Sequence, residues 1–168
     1  FTACYLVLMA VIYWQMVPYY SVRTEETDMN TPTGIVGELV DGMVVEQKII
    51  PTANSLNALR LLTATYNRAN TGMIHFVICA EDGTILSDSA LEAQNLNNDL
   101  LTDIPLSAEI AGCKGKVLTL KVFTEGAPSG YAPTLYFGLP DESVSSAAFG
   151  SCMVNGEEEN GQLCLVTA

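Results

Sequence analysis

From Phe1 to Val22 the chain carries no charged side chain, and from Arg23 onward its apolar positions recur with a period of two between turn residues. The opening run, FTACYLVLMAVIYWQMVPYY, matches the roughly 17–25 apolar residues that a bilayer-crossing helix needs. It lacks the polar stripe of a helix packed on a soluble core. Tyr13, Trp14, Tyr19 and Tyr20 gather toward its C-terminal end, where rings with a polar tip prefer the headgroup layer. No initiator Met, basic n-region or small-x-small site precedes Ser21, which argues against a cleaved signal peptide. Residues 1–22 are therefore expected to form a transmembrane helix in contact with membrane lipid.

Residues 23–34 read as a polar stem, since TEETDMNTPTG has a proline and no periodicity. Candidate strands follow. Ile35–Leu39 and Met43–Ile50 are separated by the Asp41-Gly42 turn signal. Leu56–Tyr66, Met73–Ala80 and Thr84–Ser87 are expected to form a meander, with Asp82-Gly83 turning the last pair. Thr102–Ile110, Lys116–Thr124, Ala132–Gly138 and Ser143–Phe149 come next, and Ser151–Val154 with Leu163–Ala168 would make a final hairpin. Leu118, Leu120 and Val122 share one face of their strand, as do Ile74, Phe76 and Ile78 of theirs. Only Ser89–Leu101 looks helical, and its Asn95, Asn97, Asn98 and Asp99 favour a short helix or an irregular crossover. The pattern predicts a mainly β fold: an antiparallel two-sheet sandwich of jelly-roll type over residues 35–168, preceded by one transmembrane helix.

The net charge of -12 and a pI near 4.2 exclude nucleic acid as a partner, because no basic surface is left to displace phosphate counterions. Arg23 and Lys48 are the only basic residues among the first 50, a flank that favours translocation and places the β domain on the extracytoplasmic side of a cell membrane. The chain opens on Phe1 and closes on Val166-Thr167-Ala168 in mid-pattern, so it reads as a piece of a longer protein. Cys4 lies in the span; Cys79, Cys113, Cys152 and Cys164 lie in the domain. Cys152 and Cys164 flank VNGEEENGQL and could bridge the arms of a hairpin, the alternative being four free thiols. With no C-x-x-C and a single histidine, His75, neither a metal nor any other cofactor is expected.

The most distinctive local sequence is Tyr66-Asn67-Arg68-Ala69-Asn70-Thr71-Gly72. One reading makes Tyr66 a stacking platform beside ligand-bonding Arg68 and Asn70. The other makes the segment a plain turn in which Arg68 pairs with a carboxylate. Tyr131 and Tyr136 are the other candidate platforms, although core packing also accounts for them. Nineteen carboxylates guarantee that some acidic pair exists, so no catalytic residue is assigned.

Taken in order, Tyr66, Arg68, Asn70-x-Gly72, an apolar strand, Asp82-Gly83, an Asn-Asp region and Gly115-Lys116 before an aliphatic strand carry a likeness to a known family. Over roughly Gln47–Gly138 the chain resembles a domain that recurs in the extracytoplasmic parts of bacterial, especially Gram-positive, multi-pass membrane proteins linked to surface polysaccharide and glycosyl transfer. The resemblance implies a carbohydrate-binding-module-like sandwich. It implies a non-catalytic binding or interaction module whose partners are a cell-surface glycan or neighbouring membrane-protein domains. A structural spacer or assembly domain is the alternative, and a glycoside hydrolase or esterase stands third.

Overall fold

The computed structural model describes residues 29–139 and 147–167. The expected membrane helix, residues 1–22, and the first part of the stem lie outside them. Among the described residues no helix is long and apolar enough to cross a membrane.

In chain order the strands are β1 (Pro32–Ile35), β2 (Val44–Pro51), β3 (Ser55–Leu56), β4 (Leu59–Ala64), β5 (Met73–Ala80), β6 (Ile85–Glu92) and β7 (Leu100–Ile104). They continue with β8 (Ile110–Ala111), β9 (Leu118–Glu125), β10 (Thr134–Gly138), β11 (Ala147–Val154), β12 (Glu157–Glu159), β13 (Gln162–Leu163) and β14 (Leu165–Thr167). Sheet one has the antiparallel order β12-β11-β2-β9-β5-β6. Sheet two contains β1, β10, β4, β7, β13 and β14, and it forks. Thr134 and Leu135 of β10 pair directly with Ala64 and Thr63 of β4, whereas Phe137 and Gly138 pair with Leu163 and Gln162 of β13. The segment β13–β14 thus enters as a wedge between β10 and β4, with β14 paired to β4 from Leu165↔Leu61 to Thr167↔Leu59.

Period-two alternation builds the core. Ile74, Phe76 and Ile78 of β5 and Leu118, Leu120 and Val122 of β9 point inward, as their spacing predicts. They share one buried cluster with Leu59, Leu61, Leu135, Leu163 and Leu165 of sheet two, so the two sheets form a sandwich. Leu56 and Ile110, from the small β3–β8 pair, join the same cluster. On the outer face of sheet one Lys121 reaches Glu46, its cross-strand partner, at 2.7 Å. His75 stacks on Phe123 with ring centroids 4.8 Å apart.

Several expectations are corrected. Within Ser89–Leu101 the short helix and the crossover between sheets are both present, as a 3-10 turn at Ala93–Asn95 between β6 of sheet one and β7 of sheet two, but the ends of the stretch belong to the strands, since β6 runs to Glu92 and β7 begins at Leu100. Leu91 is held in the sheet by Ile74, which outweighs its one-turn spacing to Asn95. The expected three-strand meander is split, with β4 in sheet two and only the β5–β6 hairpin in sheet one. The chain crosses between sheets at Gly72, where a left-handed φ of +85° and the backbone of Gly126 leave no space for a Cβ. Asn30 is buried and donates to Gln162, and Pro32–Ile35 pairs with β10, so the end of the expected stem belongs to the fold. The expected last hairpin is also replaced. Cys152 lies opposite Glu159 in the β11–β12 hairpin, and the chain then passes to sheet two.

Candidate functional site

At one end of the sandwich β4 runs into a turn closed by the Arg68 N–H donating to the Thr65 carbonyl at 3.2 Å. Its central residues, Tyr66 and Asn67, both have left-handed φ, 56° and 54°, the pattern of a type I′ turn that Asn-Gly would adopt most readily. A tyrosine in the first of these positions costs about 1–2 kcal/mol. The compensation comes from Asn98 in the β6–β7 crossover. Its carboxamide oxygen accepts from Thr65 N at 2.8 Å, Thr65 Oγ1 at 3.0 Å and Asn67 N at 3.3 Å. Its nitrogen donates to Asn67 Oδ1 at 3.1 Å and Asp99 Oδ2 at 2.7 Å. Asp99 is itself left-handed, so Asn98 bonds two of the four non-glycine residues with positive φ among the described residues, Asn67 and Asp99, and Tyr66 stands between two of its partners, Thr65 and Asn67.

The turn presents an aromatic surface. Tyr66 is 38% exposed, and the Arg68 guanidinium carbon lies 4.6 Å from its ring centroid. Arg68 is otherwise occupied: Nη2 donates to Glu38 and, at 2.9 Å, to the Ala132 carbonyl, while Nε donates to Asn70 Oδ1 at 3.4 Å. Asn70 is 3% exposed and donates to the Thr65 carbonyl. Glu38 also accepts from Ser129 Oγ at 2.8 Å and from Gly130 N at 3.1 Å. The Gly130 N–H, then Arg68 and Ser129, hold the Glu38 carboxyl below its ordinary range. Tyr131, 55% exposed, is carried by the neighbouring loop, and its carbonyl accepts from Thr71 N at 3.0 Å.

The structure thus brings Tyr66, Arg68, Asn70 and Tyr131 together, and Tyr136 reaches the same turn indirectly, through Asp99 and Asn98. Tyr136 lies on the outer face of sheet two, where its hydroxyl donates to Asp99 Oδ1 at 2.6 Å; that bond raises its pKa. Sequence reasoning missed Glu38 and Asn98. Asn98 was visible as part of an Asn-Asn-Asp run, but Glu38 is 30 positions from Arg68 and nothing local marks it. Asp82, in the β5–β6 turn, has its carboxyl held low by the Thr84 backbone N–H that it accepts.

The cysteine pairing is corrected. Cys79, Cys113, Cys152 and Cys164 are all free and buried. Cys152 belongs to the core cluster, whereas Cys164 alternates with Leu163 and Leu165, both core residues, and so points to the opposite side of sheet two. Sheet two itself separates the two thiols. Burial pushes their pKa values up to about 11 for Cys152 and about 12 for Cys164.

Among the described residues no three His, Cys, Asp or Glu side chains form a group that could hold a metal ion. Two clefts of about 520 Å³ open besides, one beside Leu86, Ile110, Lys116 and Leu118, the other on the far side of Asp99, beside Met29, Arg60, Leu62, Leu100 and Leu101. No protein-family model matches the chain, and no curated protein matches it.

Proposed function

We propose that this chain is a non-catalytic binding module, with a jelly-roll, carbohydrate-binding-module-like sandwich that takes a cell-surface glycan on the Tyr66–Tyr131 rim. Residues 1–22 tether it to a membrane, with the β domain on the extracytoplasmic side. The observation that carries the glycan reading is Tyr66, an exposed ring kept at a strained left-handed position where Asn or Gly would sit more cheaply. Strain of this kind concentrates at functional surfaces. Tyr66 and Tyr131 supply apolar faces for sugar rings, and Asn67 and the outer edge of Glu38 supply hydrogen-bonding groups. Arg68 has most of its donors committed, so its part is to position Tyr66 rather than to grip the ligand. With a charge of -12, the ligand is a neutral or cationic polysaccharide.

A non-catalytic role is supported by the carboxylates whose environment is clearest. Glu38 and Asp82 are both held low by backbone N–H groups, which suits permanent acceptors and not a proton donor. The full chain, immobilised and titrated against a panel of neutral and amino-sugar glycans, tests the proposal. Tyr66→Ala and Tyr131→Ala should each weaken a hit by about tenfold, the scale of one lost aromatic contact. Absence of any hit would favour the spacer or assembly reading, and cleavage of a hit would favour the hydrolase. Flotation with lipid vesicles, lost when residues 1–22 are removed, tests the tether.

A further inference from the structure

The outer face of sheet two is packed as a second interior. Leu62 is the register partner of Leu101, its N–H donates to the Cys164 carbonyl at 2.9 Å, and the Cys164 N–H donates to the Tyr136 carbonyl at 3.0 Å. Tyr136 in turn partners Ile35. Leu101, Leu62, Cys164, Tyr136 and Ile35 therefore form one row across the sheet, on the side away from the core. Val166, Ala64 and Thr134 flank that row on the same face, by alternation with Leu165, Thr63 and Leu135. Cys164 and Thr134 are 0% exposed, and Leu62, Ala64 and Val166 are also buried, yet none of them belongs to the core cluster between the sheets. Every described strand belongs to one of the sheets, and none forms a third layer over this face.

The start of the described chain lies at the same place. Met29 lines the 520 Å³ cleft with Leu62, Leu100 and Leu101, and Asn30 is anchored to Gln162. Stepping back from Met29, the segment Arg23–Asp28 is polar and acidic, whereas Pro18-Tyr19-Tyr20-Ser21-Val22 is apolar and aromatic. The seven residue steps from Met29 back to Val22 extend to about 20 Å, enough to cross about four strands. We propose that the outer face of sheet two is the docking face for this chain's own segment Pro18–Asp28, with Tyr19, Tyr20 and Val22 lying over Leu62, Cys164 and Val166. The inference does not need the glycan, and it takes Pro18–Val22 out of the proposed tether, shortening the membrane-crossing stretch to Phe1–Val17, at the lower bound of the roughly 17–25 apolar residues such a helix needs.

Cys164 makes the proposal measurable. Alkylation of each thiol in the folded full chain, followed by peptide mass spectrometry, should find Cys164 as slow as Cys113 and Cys152 at every dilution. In the Tyr19→Asp/Tyr20→Asp chain Cys164 alone should react on the order of tenfold faster or more, as for local release of a docked segment. If all thiols accelerate together the variant has unfolded, and the milder Val22→Ser chain is read by the same criterion. Cys164 staying as slow as Cys152 after the segment is altered would overturn the proposal. Protection that fades on dilution would assign the face to a second copy of the chain, and protection that requires lipid would assign it to the bilayer; either result overturns it too.

Discussion

Arg68 lies over the ring of Tyr66 and at the same time grips Glu38, so an exposed aromatic is fixed by a side chain whose own position is fixed from three directions. Stability and recognition can be separated here. Tyr66→Asn suits the left-handed position better and should leave the unfolding free energy unchanged or raise it by up to about 1 kcal/mol. The same variant should lose glycan binding. Urea denaturation and glycan titration on one preparation would check both; a large loss of stability would mean that the tyrosine serves packing.

Removing the partner of the guanidinium has a pH signature. The Glu38 carboxyl is depressed on folding, so its stabilising contribution is present above its ordinary unfolded value of about 4.3 and is lost as pH falls through the lower folded value. Urea midpoints between pH 6 and pH 3 should fall more steeply for the parent than for Glu38→Gln.

The buried thiols act in the opposite direction at the alkaline end. Folding raises both, so their contribution is whole below the unfolded value of about 8.5 and drains away as pH rises through about 11 for Cys152 and about 12 for Cys164. Cys164→Ala should flatten the decline in stability measured between pH 8.5 and pH 10.5.

Facing in sheet one is tested by neighbours on β9. Leu118 is 1% exposed in the core, and Leu118→Asp should unfold the domain, because an unpaired buried charge costs several kcal/mol against a total of about 5–15. Lys121→Asp loses only a surface pair with Glu46 and should cost about 1 kcal/mol or less beyond the new like-charge contact. Circular dichroism melts of the two variants distinguish these outcomes.

Gly72→Ala should be severely destabilising, by about 2 kcal/mol or more. The added Cβ would sit 2.6 Å from the Gly126 carbonyl carbon and still closer to the Glu125 carbonyl oxygen, in a backbone region that side chains avoid. Gly83→Ala, at a similar φ but in open space, should cost about 1 kcal/mol. A thermal melt of each variant measures the difference.

Strands with strong alternation were legible in the sequence: Met73–Ala80 is β5 residue for residue, and β2 and β9 shift by only one or two positions at their ends. Partner choice was not legible. Nothing within the meander-like run assigns β4 to one sheet and β5 to the other; that depends on how Gly72 passes Gly126. The same applies to Cys152 and Cys164, whose spacing suits a hairpin until β12 takes the place opposite Cys152. Of the candidate site, the aromatic and polar residues of one loop were visible because they are contiguous. Glu38 and Asn98 come from distant segments, and only the fold brings them there.

The fork in sheet two also sets an order of assembly. Beyond the two direct pairs Thr134↔Ala64 and Leu135↔Thr63, β10 and β4 are joined only through residues 162–167, so in a chain emerging N-terminus first from a ribosome or a translocation channel the open end of that fork stays unfilled until this stretch arrives. Sheet one's β5, β6 and β9, all complete by Glu125, can pair well before that. The half-made domain would then expose the inner face of β4 and would depend on chaperones or rapid completion to escape aggregation.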